Sequence, residues 1–219
     1  MASNAAANYI TAKATANAQK RDVYVTGFGK FGDILDNPTT FLVQKLVEHQ
    51  NVTEAHVLNV SAASCVKALA DVYTRAEERG RPCIFLHFGV SSIACSLKLE
   101  QVGYNIADFQ IPDEQGYVAK NEVIHKGEPN NISTQVPLEE MLMILKTIHP
   151  KVTISTDPGR YVCNYVYYRS LVWVKHHEVT KGGQSKHFAL FVHVPKLDVM
   201  SFDHQITLAS KIVDIVANI

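Results

Sequence analysis

The chain has 219 residues, 47% of them apolar, with 21 basic and 21 acidic side chains. That length fits one α/β-sized domain with a full core. The balanced charge gives no electrostatic case for nucleic acid or a membrane surface, and no apolar run is long enough to span a bilayer. Four cysteines, Cys65, Cys83, Cys95 and Cys163, show no CxxC or other metal-type spacing. No secretory signal is visible, so the expected location is the cytoplasm, with reduced thiols.

Residues 1–20 hold eight alanines, no acid, and Lys13 and Lys20 as their charges. This composition predicts a disordered tail, and the lack of Arg counts against a transit peptide. A single domain is then expected over 21–219. It starts with a short strand, Val23–Thr26. Pro38–Gln50 has helical spacing, and Pro suits a first helical turn. Ala55–Val60 reads as a strand and Ala62–Arg79 as a helix stopped by Gly80. Cys83–Phe88 is an apolar run of buried-strand type. Ser92–Leu99 and Val102–Asn105 read as a pair of strands, and Ile106–Gln135 as a polar, irregular segment. Pro137–Ile148 is a helix, Val152–Ser155 a strand, Cys163–His177 a helix, Phe188–Val194 a strand and Phe202–Ala217 a closing helix. Alternating strands and helices predict an α/β fold with a mostly parallel sheet and helices on both faces. Such sheets bind ligands at the carboxyl ends of their strands.

Gly27-Phe28-Gly29-Lys30-Phe31-Gly32 fits GxGxxG and follows a strand, which invites a dinucleotide reading. That motif needs a helix opening at its third Gly, to hold the pyrophosphate. Here Asp33 to Asn37 reads as a loop and brings two acids, so the nucleotide reading is rejected. The stretch instead places Phe28 and Phe31 at the end of the first strand, as lid packing or as the wall of an apolar pocket.

The most informative stretch is Asp157-Pro158-Gly159-Arg160-Tyr161-Val162-Cys163-Asn164. A turn leads into a cysteine in the first turn of a helix. Unpaired N–H groups and the helix dipole there favour a thiolate, the reactive form. A cysteine nucleophile needs a base in reach and a group to orient that base. Of ten histidines, His193 stands out at the end of the apolar run Phe188–Val194, just before Pro195. His176, His177 and His187 lie on a polar helix end and loop, with no HExxH or Cys partner to support a metal. Glu100 is a carboxylate ending the run Ser96–Leu99, which by itself reads as an exposed strand end. Spacing does not connect residues 100, 163 and 193.

Taken together, VTGFGKFGDILDNP, LEQVGYN, IPDEQG, STDPGRYVCNYVYYRSL and FVHVP resemble the pyroglutamyl-peptidase I family of cysteine exopeptidases. The resemblance covers about residues 22–200. The DPGRYVC form looks closer to the animal-type members than to the bacterial AGxYVCN form. The family's Glu–Cys–His triad would fall on Glu100, Cys163 and His193. Its pocket aromatics would fall on Phe28 and Phe31, its Asn-Pro on Asn37-Pro38, and its pocket residues before the nucleophile on Tyr161 and Val162. Gln110 and Val90 depart from the pattern, standing where many members carry Arg and Gln.

The resemblance implies an open three-layer α/β/α sandwich with a mixed, mostly parallel twisted sheet. It implies a peptidase that removes N-terminal pyroglutamate from small peptides, with no metal and no cofactor. Self-association into a homo-oligomer stays open. A pyroglutamyl ring is a neutral lactam, so its site needs an apolar slot with a few backbone partners. Two alternatives remain from the sequence. One is a catalytically silent relative that binds blocked peptides. The other is a hydrolase or phosphorylase of similar fold acting on another small ring, which the lack of a basic phosphate cradle disfavours.

Overall fold

The computed structural model describes residues 20–32, 34–177 and 187–219, so the predicted tail lies almost wholly outside the described residues. Strand β1 (Asp22–Phe28) is followed by helix α1 (Pro38–Leu46), β2 (Glu54–Leu58), α2 (Ala62–Arg79) and β3 (Cys83–Val90). Then come β4 (Leu97–Glu100), β5 (Val102–Tyr104), β6 (Asn131–Ser133), α3 (Leu138–Ile148), β7 (Val152–Ser155), α4 (Val162–His176), β8 (His187–Val194) and α5 (Phe202–Val216). Six strands form the main sheet in the order β2-β1-β3-β8-β4-β7. All neighbours are parallel except β4 and β8.

The expected sandwich and its mixed, mostly parallel sheet are present. Alternation along the strands assigns the two faces. Val23, Val25, Ile84, Leu86, Phe88, Leu97, Leu99, Leu190, Val192 and Val194 form one core with Leu42, Met141, Leu145, Leu208 and Ile212 of α1, α3 and α5. Tyr24, Phe28, Phe85, Ala189 and Phe191 face Leu69, Val72, Val166, Tyr167 and Leu171 of α2 and α4. Each such fully buried Leu or Phe contributes about 1.5–3 kcal/mol.

Local chemistry sets the helix ends. Asn37 caps α1 by accepting from the N–H of Thr39, with Pro38 in the first turn. Ser61 caps α2 by accepting from the N–H of Ser64, and Gly80 ends it at φ 60°. Helix α1 stops at Leu46 rather than the expected Gln50, where Val47 to Gln50 turn instead.

The expected pairing of the fifth strand with the one before it is wrong. The first member of that pair starts at Leu97, because Ser91–Ser96 is a turn region. It lies inside the main sheet, with β8 on one side and β7 on the other, so no edge is left for β5. Strand β5 pairs instead with β6, which lies within a stretch expected to be irregular. Asn164 of α4 draws β5 onto the helix, accepting from the N–H of Tyr104 and donating to the carbonyls of Tyr104 and Ile106. A Cβ at Gly103 would lie 2.8 Å from the end of the Leu171 side chain and 3.3 Å from the Tyr168 backbone, so glycine eases that close approach.

The glycine-rich stretch is not a nucleotide loop, since the next helix opens only at Pro38. Gly27 lets α1 cross β1 closely, because a Cβ there would sit 2.5 Å from the carbonyl oxygen of Thr39. Among the described residues no helix is long and apolar enough to cross a membrane.

Candidate active site

A cavity of about 810 Å³ opens at the carboxyl ends of β1, β3 and β8 and extends over β4 and β7, which run the other way, and Glu100, Cys163 and His193 all line it. Strand alternation and register bring two of them together. Lys98 of β4 is opposite His193 of β8, and Glu100 is opposite Phe191. Residues two apart share a face, so Glu100 and His193 are diagonal neighbours across an antiparallel pair. The His193 Nδ1–Glu100 Oε1 distance is 2.8 Å. A carboxylate only accepts, so it holds the proton on Nδ1 and leaves Nε2 for the cavity. Glu100 sits one rung deeper than His193 and is 0% exposed, against 6% for the histidine. The expected exposed strand end is therefore wrong; the sheet continues past β4 on both sides. The second carboxylate oxygen makes no hydrogen bond among the described residues.

Cys163 occupies the first turn of α4, as its sequence position predicts. The capping position, Tyr161, makes no side-chain hydrogen bond to the helix, so the first-turn amides are left for the cavity. The helix lies close over the sheet at Gly89. A Cβ there would be 3.0 Å from the Cys163 sulfur and 2.7 Å from the Phe191 ring. Gly89 is the residue opposite His193 on β3, so the thiol lies over the strand next to that of the imidazole.

The thiol is not the low-pKa group expected from the helix end. Burial pushes Cys163 up to about 12, with the nearby Cys65 thiol and Glu100 carboxylate adding to the rise. Its own backbone N–H pulls the other way without reversing this. The residue is half-buried, at the floor of the open cavity. Dehydration by the layer of side chains above the sheet outweighs the helix-end field.

The other expected site residues also line this cavity: Phe28, Phe31, Asn37, Tyr161 and Val162. Phe28 and Val162 are buried walls. Phe31 packs on Tyr161 with ring centroids 6.3 Å apart, and Tyr161 packs edge-on to Phe109 at 4.8 Å. The Tyr161 hydroxyl donates to the Pro112 carbonyl. Asn37 is different, since its polar atoms are committed to Gly29 and Thr39. It fixes the loop that carries Phe28 and Phe31. Val90 and Gln110, the two departures, line the same cavity.

Asp113 explains the IPDEQG stretch. Its carboxylate accepts from the N–H groups of Ala62, Gln115 and Tyr117, tying the long connection to the start of α2. Sequence reasoning missed Gly89, Phe191 and Asn164. A glycine ending an apolar strand run was the one available signal for Gly89. His187, expected on a loop, begins β8 and is buried, 3.0 Å from the Cys83 sulfur.

An open α/β/α sandwich that gathers a first-turn cysteine, a histidine and a buried glutamate at the carboxyl end of its sheet has the make-up of a cysteine-type hydrolase. A family model described as Pyroglutamyl peptidase matches residues 21–217, and the chain belongs to that family. It is 30% identical to the pyrrolidone-carboxylate peptidase of Pyrococcus furiosus, over 83% of this chain and 84% of that one. Among solved structures, pyrrolidone carboxyl peptidase of Fervidobacterium islandicum superposes with a TM-score of 0.74 at 27% identity, covering 89% of this chain and 97% of that one. The enzyme of Thermococcus litoralis shares the fold with a TM-score of 0.79 at 24% identity, over 90% and 93% of the two chains.

Proposed function

We propose that this chain hydrolyses the amide bond after an N-terminal pyroglutamyl residue, with Cys163 as nucleophile, His193 as acid and base, and Glu100 as the group that orients His193. The observation that carries the roles is the buried 2.8 Å contact of Glu100 with His193, in the cavity that also holds Cys163. His193 takes the thiol proton as the sulfur attacks the carbonyl carbon. Glu100 stabilises the imidazolium so formed. The backbone N–H groups of Val162 and Cys163 receive the oxyanion. His193 then returns the proton to the leaving amine, and a water frees pyroglutamate from the sulfur.

Phe28, Phe31, Tyr161 and Val162 form an apolar slot suited to a neutral lactam. A free N-terminal Glu would bring an ammonium and a carboxylate into that slot, at a cost of several kcal/mol. The activity is assigned to residues 21–219. No disulfide joins the cysteines of the described residues, which supports a cytoplasmic setting.

The test is release of a fluorophore from a pyroglutamyl amide, with and without a thiol alkylator. Cleavage that the alkylator abolishes, with none of the glutamyl or prolyl analogue, is expected. Equal rates on glutamyl and pyroglutamyl substrates would overturn the pocket assignment. Binding of blocked peptides without turnover would mean a silent relative.

A further inference from the structure

Register across four strands lays out one row of residues on the α4 side of the sheet. Gly89 of β3 is opposite His193 of β8, His193 is opposite Lys98 of β4, and Lys98 is opposite Thr153 of β7. Paired residues share a face, and neighbouring strands are about 5 Å apart. Cys163 sits over Gly89, at one end of this row. Phe28, Phe31 and Tyr161, the walls of the ring slot, lie beyond that end, while His193, Lys98 and Thr153 continue toward the free edge of the sheet at β7. The histidine must protonate the leaving amine, so the leaving peptide runs along the row from His193 toward Lys98.

Lys98 is half-buried and lines the cavity. Among the described residues its ammonium makes no hydrogen bond and no ion pair. Each of the two acids nearby has one oxygen bonded to another group, and Asp157 also feels the charge of Lys98. Glu100 bonds His193, and Asp157 bonds Arg160 at 2.6 Å and the N–H of Gly159 at 3.1 Å. A residue spans about 3.5 Å of extended chain, and Lys98 lies one strand spacing past the proton donor. The ammonium thus faces the first residue after the scissile bond.

We propose that Lys98 anchors a leaving-side subsite that takes a carboxylate one residue beyond the scissile bond. This rests on the pyroglutamyl reading above. Two sources carry that chemistry: the C-terminus of a pyroglutamyl dipeptide, and the side chain of an acidic leaving residue. Lys98 is a specificity residue here and takes no part in the proton transfers.

The experiment measures kcat/KM for two substrate pairs: pyroglutamyl-alanine against its C-terminal amide, and pyroglutamyl-aspartyl amide against pyroglutamyl-asparaginyl amide. Wild type, Lys98→Gln and Lys98→Arg are compared at low and high salt. Wild type should prefer the carboxylate member of at least one pair by about five- to tenfold, the scale of one partly screened charge pair. The pair that responds identifies the source. The preference should fall to near one in Lys98→Gln, persist in Lys98→Arg and shrink with added salt. Each ratio is taken within one enzyme, so a reduced folded fraction cancels, and the wild-type ratio with its salt dependence stands without any variant. Wild-type ratios near one in both pairs, or a Lys98→Gln enzyme that keeps the preference, would overturn the subsite alone. Failure of the wild type to cleave any pyroglutamyl substrate would overturn the underlying reading and the subsite with it.

Discussion

Along β8, Leu190, Val192 and Val194 point into the layer of α1, α3 and α5, while Phe191 and His193 point toward α2 and α4. Strand β3 repeats the division, with Ile84, Leu86 and Phe88 on the first side and Phe85, His87 and Gly89 on the second. Strand β4 repeats it again, with Leu97 and Leu99 opposed to Lys98 and Glu100. The first face is hydrocarbon against hydrocarbon. The second carries buried polar groups, including the chain Thr26–His87–Ser170–Tyr73, whose three links are 2.7, 2.8 and 2.8 Å. A buried polar group costs stability unless paired, whereas a buried methyl contributes it. The same strands therefore supply adhesion on one face and a rigid polar floor for chemistry on the other.

Substitutions should separate the two faces. The largest effect is expected from Glu100→Gln, which keeps the shape but offers His193 a donor in place of an acceptor. In serine triads the comparable change costs about 10⁴ in turnover, and a thiol leans on its base less. A fall of about 10²–10³ in kcat is expected, roughly 3–4 kcal/mol, with KM little changed. Steady-state kinetics on a pyroglutamyl amide reads this directly, and a near-normal kcat would leave only a Cys–His pair. On the opposite face, Leu190→Ala removes a fully buried side chain one residue from Phe191. It should cost about 2–5 kcal/mol in denaturant unfolding and leave kcat per folded molecule unchanged. A large loss of kcat there would show that the two faces are coupled.

The effect that is smallest at neutral pH concerns His87, whose burial holds it down to about 3. An unfolded histidine titrates near 6.5. Between those values the unfolded chain binds a proton that the folded chain refuses, so stability is present above about pH 6.5 and is lost as the pH falls toward 3. The slope from this group reaches about 1.4 kcal/mol per pH unit. Unfolding curves of His87→Gln should lack that part of the acid slope. An unchanged slope would mean that His87 is protonated in the folded protein.

Much of this was legible in the chain. Helix α2 runs from Ala62 to Arg79 as expected, because Ser61 and Gly80 mark both ends chemically. Cys163 and His193 were legible from a turn before a helix and a charge-bearing end of an apolar strand. What was not legible depends on partners distant in sequence. The pattern of β4 gives its two faces but not its neighbours, so its place inside the sheet and its antiparallel pairing with β8 were missed. The burial of Glu100 and its diagonal contact with His193 follow from that place. The thiol was misjudged for the same reason. Its helix position is local, but the groups around it, Cys65 of α2, Glu100 of β4 and Phe191 of β8, are distant in sequence.

The central claim is that Cys163 forms a covalent bond to the pyroglutamyl carbonyl. It is tested by mixing the enzyme with an activated pyroglutamyl ester, quenching in acid within the first turnover and mapping the product by peptide mass spectrometry. One added pyroglutamyl group is expected on the peptide that contains Cys163, absent in Cys163→Ala and longer-lived in Glu100→Gln. An adduct on a different side chain, or full turnover by a Cys163→Ala enzyme, would contradict it.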